Sequence, residues 1–233
     1  MKNFLMPALA AAFAVTAIAA PVMSTPVMAQ VNGTATANLP IAVAQAQALQ
    51  NGFQQIETQY AAQLTTIEQR QQQRQQLIQT FDTNGDGGLD AAEQAPTQDP
   101  NNATVQQIQA IDQEIQTLQQ PINLARVFVV SQVAGQYQAA LQQVISDNNI
   151  QFVLQPDAII YAPDAANVTA QVVTALNTRF PAAQIIPSAE FQPTEAAVQL
   201  YQQIQQIFMI AAMQQQQAAA AAAQQQAPAT SGR

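Results

Sequence analysis

Cysteine, histidine and tryptophan are absent from this 233-residue sequence, and lysine occurs once, at Lys2. Without cysteine there are no disulfides and no thiol nucleophiles. Without histidine there are no imidazole bases, and together the two absences remove the usual zinc sites. Charge is scarce as well: 9% of residues are charged, and the formal net charge is -8. An acidic chain offers no basic footprint to a phosphate backbone, so no nucleic acid is expected as a partner. Asp112 and Glu114 are near in sequence, but two positions apart on a helix they do not share a face. The serines have no histidine or lysine beside them to activate a hydroxyl. No enzyme is expected from this inventory.

What is present is alanine and glutamine, both good helix formers, in a chain that is 48% hydrophobic and 6% aromatic. Residues 1–29 read as a secretory signal peptide. Lys2 supplies a positive start, Phe4 to Ala20 an apolar run, and Val27-Met28-Ala29 a cleavage site between Ala29 and Gln30. Pro7 and Pro21 bracket a run shorter than the ~20 residues a membrane span needs. Export without cysteine fits a bacterial periplasm, where a helical protein needs no disulfide.

Thr34 to Asn38 can form one short strand. Beyond it, Leu49, Phe53, Ile56, Tyr60, Ile67, Arg74 and Phe81 follow steps of four and three or their multiples, a heptad seam in which Gln63 and Arg70 fill two positions. Pro96, Pro100 and Asn101-Asn102 interrupt helix formation. A second seam follows through Val105, Ile108, Ile111, Ile115, Leu118, Ile122, Ala125 and Val129, and runs on weakly through Tyr137, Leu141 and Val144. Pro121 is expected to kink it. Two seams separated by a turn region predict an antiparallel helical hairpin with arms at about 41–81 and 103–147, each roughly 60 Å long. Residues 150–161 alternate in polarity around Pro156-Asp157 and predict a β-hairpin. Asn167 then caps a helix over 168–178. Residues 179–233 contain a proline-punctuated linker and a helix capped by Thr194, with Val198, Tyr201, Ile204, Phe208 and Ala211 on one face. They end in a glutamine/alanine-rich low-complexity run and a disordered tail over Ala227 to Arg233.

Between the seams lies Asp82-Thr83-Asn84-Gly85-Asp86-Gly87-Gly88-Leu89-Asp90-Ala91-Ala92-Glu93, the pattern of an EF-hand-type calcium loop. Calcium takes six to eight oxygen ligands at roughly 2.4 Å. Asp82, Asn84 and Asp86 alternate so that their oxygens can converge. Gly87 permits the bend, and Gly88 offers its backbone carbonyl. Asp90 binds directly or through a water, and Glu93 closes the shell. The predicted ligands of Ca2+ are therefore Asp82, Asn84, Asp86, Gly88, Asp90 and Glu93. No second loop pairs with this one, and Pro96 cuts the exiting helix short. The expected role is to order the tip of the arm rather than to swing a helix pair.

A signal peptide, a short strand, a long helical hairpin, a β-hairpin and a capped helix, in that order, resemble the Skp/OmpH family of periplasmic chaperones. The stretches Asp147 to Leu154, Ala158 to Tyr161 and Asn167 to Val172 are similar to that family's closing strand pair and helix. The resemblance covers about Thr34 to Thr178 within a domain at 30–178. It implies a mostly α fold with a small β body: a coiled-coil hairpin arm, plus a short strand and β-hairpin that join a homotrimeric body. It also implies a holdase whose arms enclose unfolded outer-membrane proteins, with peripheral association with the outer membrane. The arms here carry Arg70, Arg74 and Arg126 among glutamines. This points to apolar or hydrogen-bonding capture rather than electrostatic capture. The competing reading is a calcium-binding structural or adhesive envelope protein, using the loop as a clip and the tail as a spacer.

Overall fold

The computed structural model describes residues 33–226. The signal peptide expected at 1–29 and the tail at 227–233 lie outside them. In chain order the elements are β1 (Thr34–Thr36), α1 (Leu39–Gln45), α2 (Gln47–Gln59), α3 (Ala61–Gln79), α4 (Ala91–Thr97), α5 (Ala103–Asp147), β2 (Phe152–Leu154), α6 (Thr169–Arg179) and α7 (Glu195–Gln226). Helices α1 to α3 form one limb of a hairpin and α5 the other, with α4 and the acidic loop at the turn.

The ascending limb is broken twice. Asn38 caps α1 by accepting from the Ile41 N–H at 2.9 Å. At Ala46 the backbone is extended (φ -66°, ψ 133°). The exposed Gln47 N–H is met from outside the limb, donating to Asn177 Oδ1 of α6 at 2.8 Å. The second break, at Tyr60, is an offset: its N–H still donates to the Ile56 carbonyl, and its own carbonyl accepts from the Leu64 N–H, both at 2.9 Å. The descending limb is a single helix of 45 residues, about 68 Å long. Asn102 caps it, accepting from the Thr104 N–H at 2.9 Å. Pro121 lies inside α5, and the helix continues through it to Asp147.

Two apolar cores follow. The larger joins Leu49 and Ile56 of α2, Ile122, Ala125, Val129, Val130 and Val133 of α5, and Leu200, Tyr201 and Ile204 of α7. It extends up the arm through Ile67, Ile111 and Ile115, with Leu64, Leu77 and Leu118 half-buried against it. Leu64 is a member of the seam that the heptad steps pass over, whereas Leu77 lies on them, three after Arg74 and four before Phe81. Gly52 sits where α2 lies on α5; a β-carbon there would stand 2.9 Å from Val129 Cγ1. The smaller core holds Ala35, Ala42, Leu141, Val144, Val172 and Leu176, and so ties β1 and α1 to the end of α5 and to α6.

The sheet differs from the sequence expectation. Residues 150–161 do not form a β-hairpin: β2 pairs in parallel with β1, Thr34 opposite Phe152 and Thr36 opposite Leu154. A parallel pair needs a long crossover, and the whole helical arm is that crossover. Gly33 (φ 73°) starts the pairing, its carbonyl accepting from the N–H groups of Gln151 and Phe152 at 2.6 and 2.9 Å. After β2, Pro156 opens a 3-10 turn over Pro156–Ala158. There the Ala158 and Ile159 N–H groups bond back to the carbonyls of Gln155 and Pro156. That turn spends the backbone donors a returning strand would use, and Ile160 and Tyr161 leave the sheet for solvent. The carbonyl of Thr36 accepts instead from the Val168 N–H at 2.9 Å. Asn167 Oδ1 accepts from the Thr169 N–H at 3.0 Å, at the start of α6.

Candidate functional site

The acidic loop closes the tip of the arm. Phe81, buried at the end of the ascending limb, anchors one side of it. Gly85 and Gly87, at φ 73° and 84°, make the bend. Asp82 accepts from the Gly85 N–H through Oδ1 (2.7 Å) and from the Gly87 N–H through Oδ2 (2.9 Å). Asn84 Oδ1 accepts from the Asp86 N–H (2.9 Å), and Asp86 Oδ1 from the Gly88 N–H (2.8 Å). Asp90 is the N-cap of α4: its Oδ1 accepts from the N–H groups of Ala92 (2.8 Å) and Glu93 (3.0 Å). Glu93 answers in a capping box, Oε2 accepting from the Asp90 N–H at 3.2 Å.

Glu93 also ties the far ends of the loop together. Its Oε1 accepts from the Thr83 N–H (2.7 Å), the Thr83 hydroxyl (2.8 Å) and the Asn84 N–H (3.1 Å). The hydroxyl of Thr83, with the backbone donors of Asp90, Thr83 and Asn84, holds the Glu93 carboxyl below the usual carboxylate range, against the opposing pull of burial. All six predicted ligand positions thus lie on one closed loop. Their oxygens are hard, as calcium requires, and the glycine bends suit the pattern. In this conformation the carboxylates are turned onto loop N–H groups. Among the described residues no three acidic side chains stand together closely enough to hold a metal ion.

Along the arm, charges that the sequence reading leaves as separate surface positions are paired across the limbs. Arg74 Nε lies 2.7 Å from Asp112 Oδ1, and Arg70 Nε lies 2.9 Å from Glu114 Oε2. All four are partly exposed, so each pair contributes at most about 1 kcal/mol. They link α3 to α5 beside Ile67, Ile111 and Ile115. The sequence signal was the two arginines standing in seam positions.

Around the sheet the apolar surface is open. Phe152 is 63% exposed, Tyr161 85% and Ile160 fully exposed. Beside them a hollow of about 500 Å³ is lined by Leu39, Tyr137, Leu141, Val153, Leu154 and Pro156 among others. Burial there holds the Tyr137 phenol above its ordinary range. A second groove, of about 660 Å³, runs between α5 and α7 past Pro121, Leu124, Val127, Pro193, Val198 and Tyr201.

A family model described as outer membrane protein (OmpH-like) matches residues 34–176, from β1 to within α6. The chain belongs to the OmpH-like family. No curated protein matches the sequence. Among solved structures, a candidate outer membrane chaperone (OmpH-like) from Caulobacter crescentus CB15 is similar at 18% identity. The similarity covers 67% of this chain and 90% of that one, with a TM-score of 0.40. The OmpH-like region of this chain is therefore the arm, the two strands and α6; α7 lies beyond it.

Proposed function

We propose that this OmpH-like protein is a periplasmic holdase that keeps unfolded outer-membrane proteins from aggregating, in a space between helical arms. The observation that carries this reading is that the family match coincides with the hairpin arm and its small sheet. Holding a client this way needs no chemistry. It needs many weak contacts, each reversible, on a surface that water leaves readily. The arms present glutamine amides that can hydrogen-bond an unfolded backbone, beside narrow apolar stripes. Two of the arm arginines are already engaged by carboxylates, so a charged client gains little from them.

Assembly into a homotrimer is part of the same reading. A two-strand sheet of three-residue strands does not hold itself together in water, and Phe152, Leu154, Ile160 and Tyr161 stand exposed around it. Copies joined at this end bury those side chains and aim the arms in one direction. Export through removal of residues 1–29 brings the protein to its clients. Association with the outer membrane is peripheral in this reading; among the described residues no helix is long and apolar enough to cross a membrane.

Calcium belongs to the proposal as a ligand of the tip. Asp82, Asn84, Asp86, the Gly88 carbonyl, Asp90 and Glu93 would hold it. The bound ion would draw the loop's carboxylates together, neutralise them and stiffen the turn.

Dilution of an unfolded β-barrel protein into buffer, followed by light scattering, tests the holdase. The expected outcome is delayed aggregation at stoichiometric amounts of a species whose mass, by light scattering after gel filtration, is that of a trimer. A monomer that leaves aggregation unchanged overturns the reading. Calorimetric titration with calcium tests the tip. The double substitution Asp82→Ala, Glu93→Ala is expected to abolish binding and leave the trimer intact. Loss of the trimer would mean the loop is an assembly contact.

A further inference from the structure

Helix α7 has two halves with different surroundings. The first half packs into the arm root: Ala197, Leu200, Tyr201 and Ile204 are buried, and Tyr201 and Phe208 meet the Phe53 ring edge-on at 6.4 and 6.3 Å. From Met209 to Ala221 every residue is exposed, and the helix still runs on to Gln226. Met209, Ile210 and Met213 are 59%, 53% and 53% exposed. A helical stretch with no tertiary support is marginal in water even when rich in alanine, and a cluster of large apolar side chains in solvent marks a contact surface.

Charge decides what covers it. Between Glu195 and Arg233 no residue is charged. A helix that lies in a membrane interface carries lysine or arginine on its polar face, and this one has neither. The rest of the chain is acidic, with a net charge of -8, so copies repel each other over most of their surface. The outer half of α7 is where that repulsion vanishes. Beyond Met213 it offers the small side chains of Ala218 to Ala221, which let helices approach closely, and glutamine amides that pair with one another.

We infer that the outer half of α7 is a contact between copies of this chain, in which residues 209–221 of one copy lie parallel against the same residues of the next. This goes beyond the strand-borne assembly proposed above. Only its parallel register rests on that assembly, which would set equivalent α7 helices side by side along a common rotation axis.

The absence of cysteine makes the test clean. Met213→Cys in the full-length protein is oxidised at low micromolar concentration and run on a non-reducing gel. Covalent dimers are expected to accumulate, and Ile210→Glu in the same background is expected to slow them roughly tenfold by placing a carboxylate in the contact. The control is Gln72→Cys on the exposed face of α3. Cross-linking at Met213→Cys no faster than at Gln72→Cys overturns the inference. So does a Met213→Cys chain that reacts with a cysteine-bearing unfolded client but not with itself, because the surface is then a client site. A trimer by light scattering that gives no cross-link sinks this contact and leaves the strand-borne assembly standing. Cross-linked dimers without a trimer do the opposite.

Discussion

At Gly52 the α2–α5 packing leaves no room for a side chain. A β-carbon would meet the γ-carbons of Val129 at 2.9 and 3.2 Å, and a β-branched valine in a helix has little rotamer freedom with which to retreat. Gly52→Val is expected to destabilise the fold by about 2–3 kcal/mol, the cost of overpacking a tight core. Adding Val129→Ala should return part of that loss. Urea unfolding of the two single variants and the double variant measures the coupling; additive losses would show that the two residues do not share the space. Glu93 is the second position where one residue decides much. Its carboxyl is held low by Thr83, Asp90 and Asn84, so its contribution to the loop is present above the ordinary carboxylate range and is lost as pH falls through the lowered folded value. Thr83→Val removes the hydroxyl donor. It is expected to move the Glu93 titration, followed by carboxyl carbon resonances, back towards the ordinary range and to open the tip at a higher pH. The residue types of this loop were legible in the sequence because their spacing is local. That Glu93 would turn its oxygens onto Thr83 and Asn84 was not, since the chain between residues nine or ten positions apart must first be bent by Gly85 and Gly87.

Among the elements, the arm is the one held unevenly. Near its root α2 and α5 share Ile56, Ile122 and Val129, all essentially fully buried. Farther out, Ile67 is the buried residue of α3, and Arg70 and Arg74 take seam positions against Glu114 and Asp112. Ile115→Ala is expected to cost about 2–5 kcal/mol as a core truncation. Arg74→Ala should cost less than about 1 kcal/mol, as an exposed pair does. Hydrogen exchange should separate them: the isoleucine change lowers protection along both limbs, the arginine change only beside the tip. Equal losses would mean the ion pairs hold the outer arm. The heptad steps located both limbs because a helical seam is written every three or four residues. They passed over Leu64 because they place Gln63 in the seam, although Leu64, one turn beyond Tyr60, packs against the core. The strand pair was misread for a different reason. Alternating polarity over 150–161 is compatible with a hairpin, and only the 3-10 turn after Pro156 and the waiting edge of β1 send β2 into a parallel partnership.

For the whole molecule the apolar end beside the sheet is the surface a single chain leaves uncovered. Phe152, Leu154, Ile160 and Tyr161 stand around two short strands and the smaller core. If copies join there, Phe152→Glu with Tyr161→Glu should shift the mass measured by light scattering from trimer to monomer while the circular dichroism of the arm helices persists. A trimer unaffected by both carboxylates would place the assembly contact elsewhere. Helix α7 bears on the same scale. Its inner half completes the larger core through Leu200, Tyr201 and Ile204, so that half is part of the arm root.

The sequence by itself determined the helical arms, the acidic loop between them, the absence of thiol and imidazole chemistry and the OmpH-like layout, because each is set by residue types at short spacing. Only the tertiary structure decided how β1 and β2 pair and that α7 seats in the arm root. It also decided that Arg70 and Arg74 find carboxylates on the opposite limb and which apolar side chains are left uncovered. Those features depend on contacts between residues 38 to more than 100 positions apart, and no local pattern specifies them.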